Sequence, residues 1–343
     1  MFLVIFSREL REHLASFRFG AVFVLTQLLM VTSVLVFATR YETAMAEYRP
    51  VDNLTNDEGL VNLQGIPCKG GIRLQRRPSR LGFLASAGEQ ELPDGVRLAV
   101  HGIDAITNSG DPADLLASAT PVDWTWSIAV LLSFAAGLLT YRSISGERED
   151  GTLAMTLTNS VSRGVLLAGK YAAALSALVM SLAVGTMLSM LLLILYGTIN
   201  LTPADWLRLA AVIGIAALFL SCFVLIGLVC SVTSRSSTIS AILFLGVWAV
   251  LVFVLPNAAG ILAPRLVAAP TPGQVRRQAQ AAEDNLPLVP GMSLEQVAST
   301  DTDRHLAREG VLLTYVQQLS AQVDGARHVA RLSPVATFRF AAE

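Results

Sequence analysis

The chain alternates between long apolar stretches and short polar ones. Five apolar stretches come close to the roughly 20 helical residues that cross a hydrocarbon core of about 30 Å. They are residues 19–39, 124–141, 171–196, 207–232 and 239–262. None of them has Asp, Glu, Lys, Arg or His near its middle. This pattern predicts an all-α polytopic membrane protein with five visible transmembrane helices.

Composition favours a lipid environment for much of the chain. Hydrophobic residues make up 53% of the 343 residues and charged residues 15%, whereas soluble domains average about 25% charged residues. The formal net charge of −1 gives no reason to expect a nucleic acid partner. The four histidines are scattered without metal-ligand spacing, and three cysteines do not make a disulfide framework. We therefore expect no metal site.

Positively charged residues concentrate at one set of span ends. They are Arg8, Arg11, Arg18, Arg142, Arg148, Arg163, Lys170 and Arg235. The short loop at residues 197–206 has no Lys or Arg. Because short cytoplasmic loops hold an excess of Lys and Arg, we predict that the N-terminus, the loop 142–170 and the turn 233–238 are cytoplasmic.

The first 18 residues combine apolar side chains with a charged cluster. This composition favours a helix lying in the cytoplasmic membrane interface at residues 1–18; the alternative is a solvated terminus. Long basic side chains at span ends reach the interface and hold the helix there. Such anchors are predicted at Arg8, Arg11, Arg142, Lys170 and Arg235.

Two longer segments then lie on the outer side, at residues 40–123 and 263–343. The first mixes turn residues with strand-like pieces such as Val96-Arg-Leu-Ala-Val100, which predicts a small mixed domain. The second begins with several prolines and continues with a loose amphipathic helical pattern. We predict an outer helical segment there, and we suspect that it leads to a sixth span beyond residue 343.

Each of two polar motifs in the loop is compatible with two interpretations. Gly164-Val-Leu-Leu-Ala-Gly169-Lys170 fits part of a phosphate-binding loop. However, Tyr171 stands where Ser or Thr would hold magnesium, so helix packing and anchoring are favoured. The acidic residues Glu147, Glu149 and Asp150 suggest either an acid/base site or a solvated face, and the adjacent Arg148 favours the latter. With no catalytic triad or metal motif in the sequence, we predict that the chain is not an enzyme.

Small and polar residues recur within the spans. They are Gly137, Ser181, Gly185, Ser189, Gly214, Ser221 and Gly227. Such residues allow helices to approach closely; the alternative is that they line a translocation path. The uncharged span centres argue against an ion-driven pump, which needs buried charges as relays.

The loop has a specific resemblance. Glu147-Arg-Glu-Asp-Gly-Thr-Leu153, Asn159-Ser-Val-Ser-Arg163 and Leu167-Ala-Gly-Lys170 resemble the signature of type 2 ABC exporter permeases. Ser160 stands where proline is more usual in that signature. Among these proteins the chain looks most similar to the permeases associated with copper-enzyme maturation and to relatives with enlarged outer loops. The resemblance covers the order of spans up to about residue 262.

The resemblance implies six spans, a homo- or heterodimer of permeases in a bacterial cytoplasmic (inner) membrane, and two cytoplasmic ABC ATPase subunits. ATP and magnesium would be bound by the ATPase, and this chain would hold no cofactor. The implied ATPase-coupling residues are Gly146, Glu147, Arg148, Glu149, Asp150, Gly151, Thr152, Leu153, Ser162 and Arg163. The chain would then be the permease subunit of an ATP-driven exporter of unidentified substrate. The alternative is a non-transporting membrane scaffold or sensor with a ligand-binding outer domain.

Overall fold

The computed structural model describes most of the helical parts of the chain. The described residues are 1–48, 72–75, 78–84, 95–99, 102–107, 123–153, 162–197, 202–258, 270, 272–287, 291–330 and 333–342. Helices dominate these ranges, and three short strands form one small sheet.

The helices are numbered here in chain order. The first two are α1 (Phe2–Ala15) and α2 (Phe17–Glu47). α3 passes through Trp124–Trp126, a π-helical turn at Ser127–Leu132, and Ser133–Thr140. Next come α4 (Ser145–Glu149), α5 (Arg163–Tyr196), α6 (Pro203–Thr233) and α7 (Ser237–Ala249), which continues into a π-helical turn at Val250–Val254. The last three are α8 (Pro272–Asp284), α9 (Leu294–Ala330) and α10 (Pro334–Ala342).

Within the described residues, five helices are long and apolar enough to cross a membrane. They are Phe17–Ala46, Trp124–Glu149, Arg163–Tyr196, Pro203–Thr233 and Ser237–Ala258. They overlap the five predicted spans, with ends that differ by up to eight residues, and the predicted polytopic membrane fold is confirmed. The third helix begins at Arg163, well before the apolar stretch, because helical hydrogen bonding does not stop where the side chains become polar. Part of the predicted loop 142–170 is therefore helical.

Polar residues begin the spans, as the orphan amides of a helix N-terminus require. The Ser16 hydroxyl accepts a hydrogen bond from the Phe19 amide at 3.2 Å at the start of α2. α6 has a capping box in which the Thr202 amide donates to the Asp205 carboxylate at 2.8 Å. Pro203 follows at the first helical position, where its missing N–H costs nothing. These local signals fix where the spans start.

Glycines bring the spans into close contact. A Cβ atom added at Gly137 would lie 1.8 Å from the Phe244 ring, and one at Gly227 would lie 2.0 Å from the Thr140 hydroxyl. α3 is thereby packed tightly between α6 and α7. At Gly214, in contrast, an added Cβ would meet nothing within 4 Å. Packing is thus the observed role of Gly137 and Gly227, whereas Gly214 makes no such contact.

The segments predicted to be outer hold a small sheet and a helical hairpin. Strands β1 (Ile72–Gln75), β2 (Gly95–Ala99) and β3 (Gly102–Thr107) form an antiparallel sheet in that order, which confirms the predicted strand near Val96. α8 and α9 pack together, and Arg308 bonds to the Glu283 carboxylate at 3.2 Å between them. α10 packs on α6, where the rings of Phe219 and Phe338 stack at 4.7 Å.

Candidate functional site

The predicted coupling residues gather at one end of the helix bundle. α1, α4, the start of α5 and the turn between α6 and α7 meet there, and this group is called the charged end. Chain geometry explains the meeting: α1 leads into the first span, α4 joins the second and third spans, and the turn at residues 234–236 joins the fourth and fifth. These connections place all of these segments at span ends on one side of the bundle.

Hydrogen bonds of Ser231, Arg148 and Glu149 bind α4 to the end of α6 and the start of α7. The Ser231 hydroxyl accepts hydrogen bonds from the amides of Ile144 and Ser145 at 3.0 and 3.1 Å, which satisfies two orphan amides at the start of α4. The Arg148 guanidinium donates to the Ser234 carbonyl at 2.8 Å and the Val232 carbonyl at 3.2 Å, at the end of α6.

The Glu149 carboxylate completes this attachment at the start of α7. It accepts hydrogen bonds from the Ser237 amide at 3.0 Å and from the Ser237 hydroxyl. A carboxylate at a helix N-terminus satisfies an orphan amide and complements the helix dipole. Arg148 and Glu149, which the sequence offered as a solvated charged face, therefore link α4 to both neighbouring spans.

Lys170 forms the second attachment of α4. Its ammonium lies 2.6 Å from a Glu9 oxygen on α1 and 2.8 Å from a Glu147 oxygen on α4. The lysine side chain is 2% exposed, Glu9 12% and Glu147 25%. We call Glu9, Glu147 and Lys170 the triad. The prediction that Lys170 is an interface anchor is corrected here: its charge is held inside the protein by two carboxylates and does not reach the surface.

α1 packs directly on α5 beside the triad. A Cβ atom added at Gly169 would lie 2.8 Å from the Ile5 side chain, so glycine allows the close approach. Burial lowers the pKa of the His13 imidazole, and the Lys170 charge lowers it further. On the exposed side, the hydrogen bond and charge of Glu12 raise the pKa of Arg8. α1 therefore has one face against α5, and its exposed side combines the charged Arg8 and Glu12 with apolar residues such as Leu3.

The other predicted residues differ in exposure. Gly146 is buried, and an added Cβ would meet the Arg142 side chain at 2.3 Å. Gly151 has φ of 70°, a left-handed conformation that favours glycine. The exposed members of the predicted set, apart from the two already described, are Asp150, Gly151, Thr152, Ser162 and Arg163, and Leu153 is half-buried. The Ser162 hydroxyl caps α5 by accepting from the Val165 amide at 3.4 Å.

Four of the five predicted anchors lie at the surface. Arg8, Arg11, Arg142 and Arg235 are exposed, and Arg142 pairs with Asp150 at 3.4 Å. Such exposed ion pairs contribute about 0–1 kcal/mol. Residues 154–161, which include the predicted Asn159–Val161 part of the motif, lie outside the described residues.

Sequence reasoning missed Glu9, Ser231 and Ser237. All three bind residues far away in the chain, and a single sequence does not reveal such pairings. One signal was present: Lys170 begins an apolar span directly after Gly169, where a close helix neighbour is expected. That neighbour had to supply a counter-charge, because a buried lysine is paired.

Replacing Ser231 by alanine should loosen α4. The change leaves the buried amides of Ile144 and Ser145 without their acceptor, which we expect to cost about 1 kcal/mol of unfolding free energy. Ser221→Ala in the same helix is the matched control, since the Ser221 hydroxyl bonds to the Leu218 carbonyl of its own turn at 2.7 Å. Denaturant unfolding in detergent measures both variants. Equal midpoints for the two would contradict the role given to Ser231.

Comparison with known families agrees with this architecture. A family model described as ABC-2 family transporter protein matches residues 3–322. The chain therefore belongs to the ABC-2 transporter family and is a multi-pass permease of an ABC transporter. Membership implies association with an ABC ATPase, and permeases of this family are normally non-catalytic. No curated protein matches the chain.

Proposed function

We propose that this chain is the permease subunit of an ATP-driven exporter and that its charged end is the ATPase-binding end. The observation that supports this most is the attachment of α4. Glu147, Arg148 and Glu149 bind it directly to α5, α6 and α7, and Lys170 extends the link from Glu147 to Glu9 on α1. A force applied to α4 would thus be delivered to four membrane-associated helices, as a transporter driven from outside its own chain requires.

The exposed residues beside these attachments form the proposed contact surface. Asp150, Thr152 and Arg163 are exposed and make none of the bonds described above that attach α4 to the neighbouring helices. Rim charges of this kind govern encounter rate and orientation more than affinity. The ATPase pair would supply the nucleotide site and magnesium. A second permease copy or a paralogue would complete the transporter.

We further propose a bacterial cytoplasmic membrane with the N-terminus and charged end on the cytoplasmic side. The distribution of Lys and Arg supports this orientation. The copper-enzyme-maturation subtype is proposed on the loop motif and the enlarged outer segments. The transported substrate is left open among lipids, peptides, drugs, polysaccharides and sulfur species.

Charge reversal at Arg163 tests the contact surface. Glu147 and Glu149 are less suitable targets, because reversing them also breaks the internal bonds. We expect Arg163→Glu to weaken binding of the co-expressed ABC ATPase about fivefold, which corresponds to about 1 kcal/mol for a rim charge. The binding constant is measured in mild detergent at two salt concentrations.

Arg276→Glu is the matched control. Arg276 is an exposed arginine on α8, in the segment predicted to be outside. It should leave ATPase binding unchanged. Equal effects of the two reversals would contradict the proposed surface. If no ABC ATPase binds even the unmodified chain, the scaffold or sensor alternative takes its place.

A further inference from the structure

The triad is far more buried than the exposed ion pair of Arg8 and Glu12 on the same helix α1. Its lysine is 2% exposed, whereas Arg8 and Glu12 pair at 3.0 Å with 72% and 58% exposure. Its three members come from α1, α4 and α5, and Lys170 is 161 residues from Glu9 and 23 from Glu147. It therefore joins α4 and α5, which are close in the chain, to α1, which is far from both.

The two links of Lys170 are unequal. Glu9 is 12% exposed, and its helix is also held against α5 by the contact of Ile5 with Gly169. Glu147 is 25% exposed, and its second carboxylate oxygen is buried and has no hydrogen-bond partner among the residues that the structure describes. The α1–α5 link thus rests on packing and charge together. Between α4 and α5, the ion pair of Glu147 and Lys170 is the direct bond that the described side chains show.

We propose that Lys170 is a positioning residue for coupling: it holds α4 against α1 and α5, so that a displacement of α4 also moves the first and third spans. This inference rests on the proposed function, since it concerns how the permease transmits the action of an ATPase. Without the lysine link, α4 would remain attached to the α6–α7 turn through Ser231, Arg148 and Glu149. Its displacement would then still reach the fourth and fifth spans, and the second span through the continuous chain, but it would lose the side-chain link to the first and third spans.

A variant that lacks all three charges tests the loss of the Lys170 link separately from the destabilisation that an unpaired buried charge would cause. The neutral triad variant combines Glu9→Gln, Lys170→Met and Glu147→Gln. Methionine nearly preserves the length of the lysine side chain, and no unpaired buried charge remains, so the variant should fold. The matched control is Arg8→Gln with Glu12→Gln, which removes an exposed ion pair from the same helix α1.

The first experiment needs no ATPase. Spin labels at positions 11 on α1 and 150 after α4, both exposed, report the α1–α4 distance in the permease alone, with native cysteines replaced. The control should give the same narrow distance distribution as the otherwise unmodified chain. The neutral triad variant should give a distribution at least about twice as wide. An unchanged distribution in that variant would overturn the proposal.

The second experiment measures ATP hydrolysis by the complex relative to the ATPase alone. The neutral triad variant should still bind the ATPase. The change in ATP hydrolysis rate that the permease causes should be about ten times smaller than with the unmodified chain, which lies within the usual range of coupling between sites. A widened distance distribution with normal coupling would make the triad a purely structural contact and would also overturn the proposal. If the unmodified chain neither binds an ATPase nor alters hydrolysis, the proposed function fails, and the distance measurement still decides whether Lys170 holds α4.

Discussion

The double variant Glu9→Gln, Glu147→Gln should be about 3 kcal/mol less stable than the unmodified protein, at the low end of the range for breaking a buried ion pair. Glutamine keeps a hydrogen-bond acceptor near Lys170 but removes both negative charges. The ammonium, 2% exposed, then remains in a site where water cannot replace its counter-ions. The low end of the range applies because Glu147 is 25% exposed.

Thermal and denaturant unfolding in detergent measure this loss. Adding Lys170→Met to the double variant should recover most of it, because a neutral apolar replacement removes the unpaired charge. Removing the exposed pair of Arg8 and Glu12 should change stability by less than about 1 kcal/mol. Should the double variant unfold like the unmodified chain, the triad would have to be solvated and the contacts described here would be wrong.

Gly137→Ala should destabilise the bundle by about 2 kcal/mol. The new methyl group would lie 1.8 Å from the Phe244 ring, which is 3% exposed and has little room to move. Overpacking of this kind in a filled core typically costs about 1–3 kcal/mol. The ring or the α3–α7 contact must shift, so the loss should appear in the unfolding midpoint.

Gly214→Ala provides the matched control in another span. An added Cβ at this position meets nothing within 4 Å, and alanine favours a helix over glycine. We expect unchanged or slightly higher stability. A loss at Gly214 comparable to that at Gly137 would show that glycine is needed in these spans for backbone reasons, not for close packing.

The spans could be predicted from the sequence because the pattern that identifies them lies in consecutive residues. The absence of charges through residues 171–196, for example, is a property of consecutive residues, and the bilayer requires it. The strand at Gly95–Ala99 was likewise expected from its own composition. The caps at Ser16 and Asp205 also involve residues only three positions apart.

The charged end was only partly predictable. The motif drew attention to the segment that contains α4, but the contacts of its charged residues depend on partners far along the chain. Glu149 binds Ser237, 88 residues away, and Lys170 binds Glu9, 161 residues away. Pattern and spacing cannot distinguish an exposed carboxylate from one that caps a distant helix. The π-helical turns in α3 and α7 were also missed, because such turns are rare within α-helices.

The central claim is that an ABC ATPase binds the charged end. A photo-cross-linking amino acid at position 163, in the full chain in its native membrane, tests it most directly, with position 276 on α8 as the control. We predict a cross-linked subunit that contains a phosphate-binding loop from position 163 and not from position 276, with a yield that changes when ATP is added. No ATPase cross-link at position 163, or equal yields at both positions, would contradict the account.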